Sequence, residues 1–137
     1  MTTRRRVLQG TELIHCCVAL LGDKHVFDIR AYDVRGISSI TDYLVVGTVR
    51  NDRQMQAAAQ NLTRQLKKLG VRPLHADCEM QNIWIVLDYV DCIVHLFTPE
   101  ARQYYALEDL WRGAEMPIKH LLAAAPAALN SPDASAD

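Results

Sequence analysis

The sequence predicts one α/β (α+β) domain in which helices pack on a mixed five-stranded sheet. Two patterns indicate this class: two segments repeat apolar residues at three- and four-residue steps and a third opens with residues typical of a helix start, while five shorter segments are rich in β-branched or alternating apolar residues. Their order along the chain is α-β-β-α-β-β-β-α. The length agrees, because 137 residues bury roughly two-thirds of the unfolded surface, which is enough for a single core.

Two helices are predicted from apolar residues that share one helical face, and a third from Thr98, Pro99 and Glu100 at its start. The first covers residues 5–21. The second starts after an N-cap at Asn51 or Asp52. The third starts after an N-cap at Thr98 and runs to about Arg112. Each of the three segments is followed by a glycine, a residue that is common just after a helix: Gly22, Gly70 and Gly113.

The five predicted strands occupy residues 27–32, 43–49, 73–76, 83–87 and 92–97. Residues 43–49 are apolar on both faces, as in an interior strand. Residues 73–76 begin with a proline, which removes one donor from a ladder and therefore favours an edge position. Only a few residues separate the last two strands, so they are expected to form an antiparallel hairpin.

The domain is expected to cover residues 1–119. Residues 120–137 are dominated by Ala, Pro, Ser and Asp, which offer little apolar surface to bury and predict a disordered tail. No apolar stretch of the sequence reaches the ~20 residues of a membrane span, and the first residues contain no apolar signal core. A cytoplasmic protein is therefore expected.

The charge balance argues against a protein that coats nucleic acid. Fifteen basic and sixteen acidic side chains give a net charge of -1, whereas such proteins draw their affinity from an excess of basic groups that neutralise phosphates. Any contact with nucleic acid is expected to use a local patch. The four cysteines show no CxxC spacing, so no zinc ribbon is predicted and the thiols are expected to be reduced.

The predicted hairpin has one apolar face and one mixed face. With Tyr89 and Val90 as a two-residue turn, the mixed face contains three opposite pairs: Asp88 with Asp91, Val86 with Ile93 and Trp84 with His95. The apolar face is expected to press against the helices. Val90 is unfavourable in this register, because a β-branched residue rarely adopts the positive φ that a primed two-residue turn requires. The alternative is a longer loop with a shifted pairing of the two strands.

The mixed face is suited to protein recognition. Tryptophan and tyrosine supply contact area there, and the two carboxylates beside them would be relieved by an arginine or lysine of a partner. The alternative is structural, with Trp84 as a half-buried core residue and the two aspartates as solvated turn residues.

Catalytic and metal sites find little support in the sequence. A dense polar cluster lies at His75, Asp77, Cys78 and Glu79. Successive residues of a strand point to opposite faces, however, and the cluster has no metal-ligand spacing. Residues 38–43 are rich in hydroxyls, but no glycine-rich loop or P-loop lysine accompanies them. No cofactor, metal or catalytic residue is predicted.

Four stretches, in this order, resemble the ribosomal silencing factor (Iojap-like) family. They are GISSITDYLVV at residues 36–46, WIVLDY at 84–89, DCIVHLF at 91–97 and RQYYALEDLW at 102–111. The resemblance spans residues 8–112. One such stretch alone is unspecific, whereas four in the same order are specific.

The resemblance implies a translational repressor and not an enzyme. Members of this family bind the large ribosomal subunit through its intersubunit-face protein number fourteen and block joining of the small subunit, particularly when nutrients are scarce. Their fold resembles the nucleotidyltransferase superfamily, but this chain lacks the Gly-Ser loop and the paired Asp-x-Asp strand that hold metal and nucleotide. The alternatives are a small metal-dependent nucleotidyltransferase-like enzyme and a bare dimerisation module, since family members can self-associate through the sheet side.

Carried over by position, the family's sheet-face motif falls on residues that the hairpin already groups: Trp84, Asp88, Tyr89, Asp91 and His95. The resemblance implies a basic partner surface for them. Arg102, Tyr105 and Glu108 on the last helix are expected to border this patch. The alternative for these residues is helix-to-sheet packing with one ion pair, and it is favoured for Tyr105 and Trp111. Val90 and Met80 stand where the family pattern has glycine, so the hairpin tip and the preceding loop are expected to differ in shape.

Overall fold

The computed structural model describes residues 10–80, 83–119, 121 and 129 of the chain. The helices are α1 (Gly10–Asp23), α2 (Asp52–Lys68) and α3 (Pro99–Tyr105), and a 3-10 helix follows at Leu107–Ala114. The strands are β1 (Phe27–Asp33), β2 (Tyr43–Thr48), β3 (His75–Met80), β4 (Trp84–Asp88), β5 (Cys92–Phe97) and β6 (Glu115–Met116). The predicted fold class, helices on a mixed sheet, is confirmed.

The sheet has six strands in the order β3-β4-β5-β2-β1-β6. Its central pair, β2 and β5, is parallel, and the remaining neighbours are antiparallel. The sequence predicts five of these strands. It does not predict β6, because two residues are too few to show an alternating pattern.

The second predicted helix is confirmed together with its cap. Asn51 has an extended backbone, and its side chain accepts a hydrogen bond from the backbone N–H of Gln54 at 2.9 Å. This contact satisfies one of the donors that a helix start leaves unpaired. The first predicted helix, residues 5–21, corresponds to α1, and residues 5–9 of that prediction lie outside the described residues.

The third predicted helix is too long. It ends at Tyr105, because Ala106 adopts a left-handed conformation with φ of 47° and turns the chain into the 3-10 helix. The backbone N–H of Ala106 still donates to the carbonyl of Arg102 at 2.9 Å. The segment from Thr98 to Arg112 is therefore two short helices with a corner between them.

The third strand is displaced from its prediction at residues 73–76. β3 starts at His75 because it pairs with β4, with His75 opposite Asp88. Leu74, just before the strand, donates its backbone N–H to the carbonyl of Asp88 at 2.6 Å. The edge position that the proline predicts is confirmed.

The main core lies between one face of the sheet and the helices α1 and α2. Side chains from all of these elements are fully buried in it, among them Leu13, Val18, Val45, Leu62, Leu66, Val94 and Leu96. Gly47 on β2 permits close packing there, since a Cβ atom added to it would lie 2.5 Å from Cγ1 of Val26. The apolar face of the predicted hairpin is thus the face that packs on the helices.

A second, smaller apolar cluster lies on the opposite face of the sheet. Its buried members are Tyr32, Val34, Leu44, Val46, Phe97 and Ala101, and Leu107 and Trp111 of the 3-10 helix pack against them. α3 and the 3-10 helix therefore cover the β1, β2 and β5 part of this face. The β4 end of the face is covered less completely.

The predicted tail, residues 120–137, lies mostly outside the described residues. Two of its residues are described, and both Leu121 and Leu129 pack against the main core. Disorder of this segment stays a prediction. None of the described helices is long and apolar enough to cross a membrane.

Candidate protein-binding surface

The β4–β5 hairpin is paired two residues away from the predicted register. Trp84 lies opposite Phe97, Val86 opposite His95, and Asp88 opposite Ile93. All three predicted pairs, Trp84 with His95, Val86 with Ile93 and Asp88 with Asp91, are therefore wrong; the pairing is shifted, as in the stated alternative, but the loop still has two residues. A shift of two residues keeps every side chain on its face, since side chains alternate with a period of two. The mixed face therefore keeps its other predicted members and gains Phe97, whereas Asp91 leaves it for the turn.

The register changes because the turn lies one residue further along. Tyr89 donates its backbone N–H to the carbonyl of Cys92 at 2.8 Å, so Val90 and Asp91 are the central turn residues. Val90 has a φ of 72°, a conformation that β-branched residues rarely adopt. Two contacts hold it there: the side chain of Asp88 accepts from its N–H at 2.8 Å, and Thr41 Oγ1 donates to its carbonyl at 2.9 Å.

An aromatic cluster extends from the mixed face onto α3. It consists of Trp84, His95, Phe97, Tyr104 and Tyr105. The Trp84 ring lies 5.0 Å from the ring of Phe97 and 4.9 Å from the ring of Tyr105, measured between centroids. Tyr105 meets Tyr104 edge to face, also at 4.9 Å. Tyr104 is 81% exposed and Tyr105 37%, whereas Phe97 is buried, so the cluster has a buried base and an open rim.

His95 positions Trp84 and offers little surface of its own. It is 9% exposed, and its Nδ1 atom accepts a hydrogen bond from Nε1 of Trp84 at 3.1 Å. The indole nitrogen is only a donor, so this bond requires a neutral His95 whose Nδ1 is unprotonated. Burial favours the same state, because desolvation lowers the pKa of His95 to about 4.

The two hairpin aspartates are separate from each other. Asp88 lies on the mixed face and Asp91 in the turn, and both are partly exposed. No ion pair involves either carboxylate in the part of the chain that the structure describes. Both charges are therefore open to a cationic partner.

Tyr89 lies in the main core and not on the mixed face. It is 5% exposed, and its hydroxyl has no hydrogen-bond partner among the described residues. Burial and the neighbouring Cys17 and Cys92 raise the pKa of Tyr89 well above its usual value. The expected placement of Tyr89 on the surface patch is wrong, because the turn begins after this residue and its side chain follows the apolar face.

Arg102 is also buried, with 7% of its surface exposed. Its guanidinium donates to Glu108 at 2.7 Å and to Thr48 Oγ1 at 2.7 Å, as well as to the backbone carbonyl of Asp28. These contacts link α3 to the sheet and to the 3-10 helix. Arg102 thus fixes the corner beside Tyr105 and presents no charge to a partner.

A cleft of about 540 Å³ lies next to Arg102, but its charges are already matched. Arg30 pairs with Glu115, Arg102 with Glu108, and Arg112 with Asp109. Across the residues that the structure describes, no group of three His, Cys, Asp or Glu side chains is arranged to hold a metal ion. The buried thiol of Cys16 has its pKa raised to about 12 by desolvation, which removes its nucleophilic form.

The open part of the mixed face and the two adjoining tyrosines of α3 form what we term the recognition surface, which comprises Trp84, Val86, Asp88, Ile93, Tyr104 and Tyr105. Tyr104 is the one member of this surface that does not follow from the sequence pattern of the hairpin or of the last helix. Its signal in the sequence is weak, because helical periodicity does not tell which of two adjacent tyrosines faces outward near a helix end. The surface combines aromatic anchors on rigid elements with an unpaired carboxylate, which is the composition of a protein-binding site.

Comparison with known proteins agrees with the resemblance in the sequence. Residues 8–137 match the family model described as ribosomal silencing factor during starvation. The chain is 42% identical over 104 residues to ribosomal silencing factor RsfS of Haemophilus influenzae, which covers 76% of this chain and 86% of that protein. RsfS of Bacillus subtilis is 32% identical over 104 residues, covering 76% and 88%.

The fold is also found among solved structures. A crystal structure of a Chromobacterium violaceum protein superposes with a TM-score of 0.73 at 28% sequence identity, covering 80% of this chain and 91% of that one. The family match includes every residue of the recognition surface. On this evidence the chain belongs to the ribosomal silencing factor family.

Proposed function

We propose that this chain represses translation by binding the large ribosomal subunit and sterically blocking the joining of the small subunit, so that translation slows when nutrients are limited. It acts by occupancy, without turnover. Family membership supports a ribosome-associated regulatory role. The observation that carries the proposal for this chain is the partly exposed aromatic cluster on the recognition surface, anchored on the sheet by Trp84.

The partner that we propose is the intersubunit-face protein number fourteen of the large subunit. A basic surface on that protein would complement Asp88 and Asp91, whose carboxylates have no cationic partner in the described part of the chain. Charge attraction would orient the encounter, and burial of the Trp84 and Tyr105 rings would supply most of the affinity.

Trp84→Ala tests this contact. The substitution removes an aromatic anchor at the centre of the surface, so we expect binding to weaken by about 2 kcal/mol, or about thirtyfold in Kd. Cosedimentation with isolated large subunits measures it. Ile37→Ala is the matched control, because Ile37 is 65% exposed and lies in the β1–β2 loop, outside the recognition surface. A folded Trp84→Ala variant with the affinity of the unmodified chain would place the contact elsewhere.

A second copy of the chain is the alternative occupant of this surface. Val86 and Ile93 are partly exposed apolar residues on it, and such residues also suit self-association. If a dimer uses the same surface, raising the protein concentration lowers the fraction of chains that bind subunits. Analytical ultracentrifugation of the unmodified chain and of Trp84→Ala distinguishes the two occupants.

A further inference from the structure

Positive charge is concentrated at the carboxyl end of α2, although the whole chain has a net charge of -1. Between residues 53 and 76 the sequence contains five Lys and Arg residues and no Asp or Glu. Four of the five basic residues stand close together in the chain: Arg64, Lys67, Lys68 and Arg72. The acidic excess therefore resides in the rest of the chain.

The end of α2 folds three of these cations around one hollow. Gly70 has a φ of 85°, and Val71 donates its backbone N–H back to the carbonyl of Leu66 at 2.9 Å. This arrangement reverses the chain after the helix and brings Arg72 back beside it. Arg64, Lys67 and Arg72 line a hollow of about 440 Å³ together with Thr63 and Pro73.

These three cations differ from most of the arginines elsewhere in the described chain. Arg30, Arg35, Arg102 and Arg112 each pair with a carboxylate. Within the described residues, no ion pair involves Arg64, Lys67 or Arg72, and the Arg64 guanidinium meets only the amide oxygen of Asn61 at 3.5 Å. All three are exposed. Their charges are therefore available to an anion from outside the chain.

Stabilisation of α2 explains only part of this pattern. Lys67 and Lys68 lie in the last helical turn, where cations interact favourably with the helix dipole. Arg72 lies beyond the helix, and Arg64 lies before its last turn. Guanidinium groups bind phosphate through two parallel hydrogen bonds, so an open hollow with two arginines and a lysine fits a chain of phosphates.

We propose that this basic patch, formed by Arg64, Lys67 and Arg72, binds the phosphate backbone of structured RNA. The inference rests on the proposed function for the identity of that RNA, which would belong to the large ribosomal subunit. α2 packs on the sheet face opposite Trp84, through Leu62 and Leu66 in the main core. The RNA contact is therefore distinct from the protein contact of the recognition surface.

Fluorescence anisotropy with a labelled RNA hairpin of about 20 base pairs tests the patch on the full chain. For three phosphate contacts, we expect log K to fall against log salt with a slope of about -2 to -3. Combining Arg64→Glu, Lys67→Glu and Arg72→Glu should lower the affinity by about tenfold or more and flatten the slope. The unmodified chain failing to bind the hairpin, or the triple variant binding equally well, would overturn the proposal.

Arg53→Glu is the matched control for Arg72→Glu alone, because each reverses one charge and Arg53 is exposed on the first turn of the same helix, outside the hollow. It should bind the hairpin as the unmodified chain does, whereas Arg72→Glu should bind it more weakly. Equal losses of affinity in these two variants would mean that net charge alone sets the affinity, and would overturn the proposal. Circular dichroism and urea unfolding establish that each variant is folded.

Vesicles of phosphatidylglycerol and phosphatidylcholine test a lipid surface as the source of the phosphates. The hollow has no large apolar side chain of the kind that enters a bilayer, so we expect vesicles to bind more weakly than the RNA hairpin; binding to vesicles and not to RNA would overturn the proposal. The hairpin assay contains no ribosomal protein, so a negative result there does not contradict binding to the large subunit through Trp84. A Trp84→Ala variant that binds large subunits normally likewise does not contradict the RNA contact.

Discussion

Trp84 is oriented by a histidine that must stay neutral. The indole donates to Nδ1 of His95, and a protonated imidazole has no lone pair to accept that bond. His95 is thus a positioning residue beneath the recognition surface. The sequence predicts that His95 lies in the hairpin. It does not predict that His95 orients Trp84, because this diagonal contact depends on the observed strand register.

The neutral state of His95 makes stability depend on pH. The pKa of His95 is lowered from 6.5 to about 4 by burial, so between these values the unfolded chain binds a proton that the folded chain does not. The stabilisation is complete above pH 6.5 and is lost as the pH falls towards 4, by about 3 kcal/mol in total. Urea unfolding at several pH values measures it. A His95→Gln variant with the same pH dependence would contradict this assignment.

Tyr89 carries a buried hydroxyl that has no partner among the described residues. An unsatisfied buried hydroxyl costs about 1 to 3 kcal/mol, so Tyr89→Phe should raise the free energy of unfolding by about 1 kcal/mol. Thermal or urea unfolding checks this, with Tyr105→Phe on the exposed rim as a control that should change little. A Tyr89→Phe variant that is less stable would show that the hydroxyl is hydrogen-bonded.

At the scale of single elements, local patterns predict most of what lies within a strand or a helix. The stripe and N-cap of α2 and the two faces of the β4–β5 hairpin follow from the sequence. The hairpin register does not, because Thr41 holds the carbonyl of Val90 from the β1–β2 loop, 49 residues away in sequence. The corner at Ala106 likewise depends on the buried contacts of Arg102, which no local pattern contains.

The hairpin turn stores strain that a substitution can release. Val90 is held at a φ of 72° and is 56% exposed, so its side chain buries little surface in compensation. Val90→Gly should raise the free energy of unfolding by about 1 kcal/mol, since glycine adopts positive φ without steric cost. Val90→Ala, which keeps a Cβ atom, should gain less. A destabilised glycine variant would mean that the valine side chain makes a contact worth more than the strain.

At the scale of the whole molecule, the two faces of the sheet have different roles. One face is sealed by α1 and α2 and contains the main core. The other is only partly covered by α3 and the 3-10 helix, which leaves the recognition surface open beside a rigid aromatic base. The fold class and the difference between the two sheet faces are predictable from the alternation and periodicity of apolar residues. The burial of the Tyr89 and Arg102 side chains is not, because it results from tertiary packing.

The near-neutral charge of the chain conceals two local features. Within the described residues, the carboxylates of Asp88 and Asp91 at the hairpin form no ion pair, and neither do Arg64, Lys67 and Arg72 at the end of α2, on the other layer of the molecule. A protein that docks on a basic protein surface needs the first feature and no overall basic excess. The composition excludes a protein that coats RNA, and it is compatible with one local RNA contact.

The proposed function requires that the bound chain keep the ribosomal subunits apart. Large subunits saturated with the chain are mixed with increasing amounts of small subunits, and light scattering reports how many join. We expect the joined fraction to fall as the chain saturates the large subunits, and Trp84→Ala to require about thirtyfold more protein for the same effect. Stoichiometric binding to the large subunit with undiminished joining would show that the bound chain does not block joining.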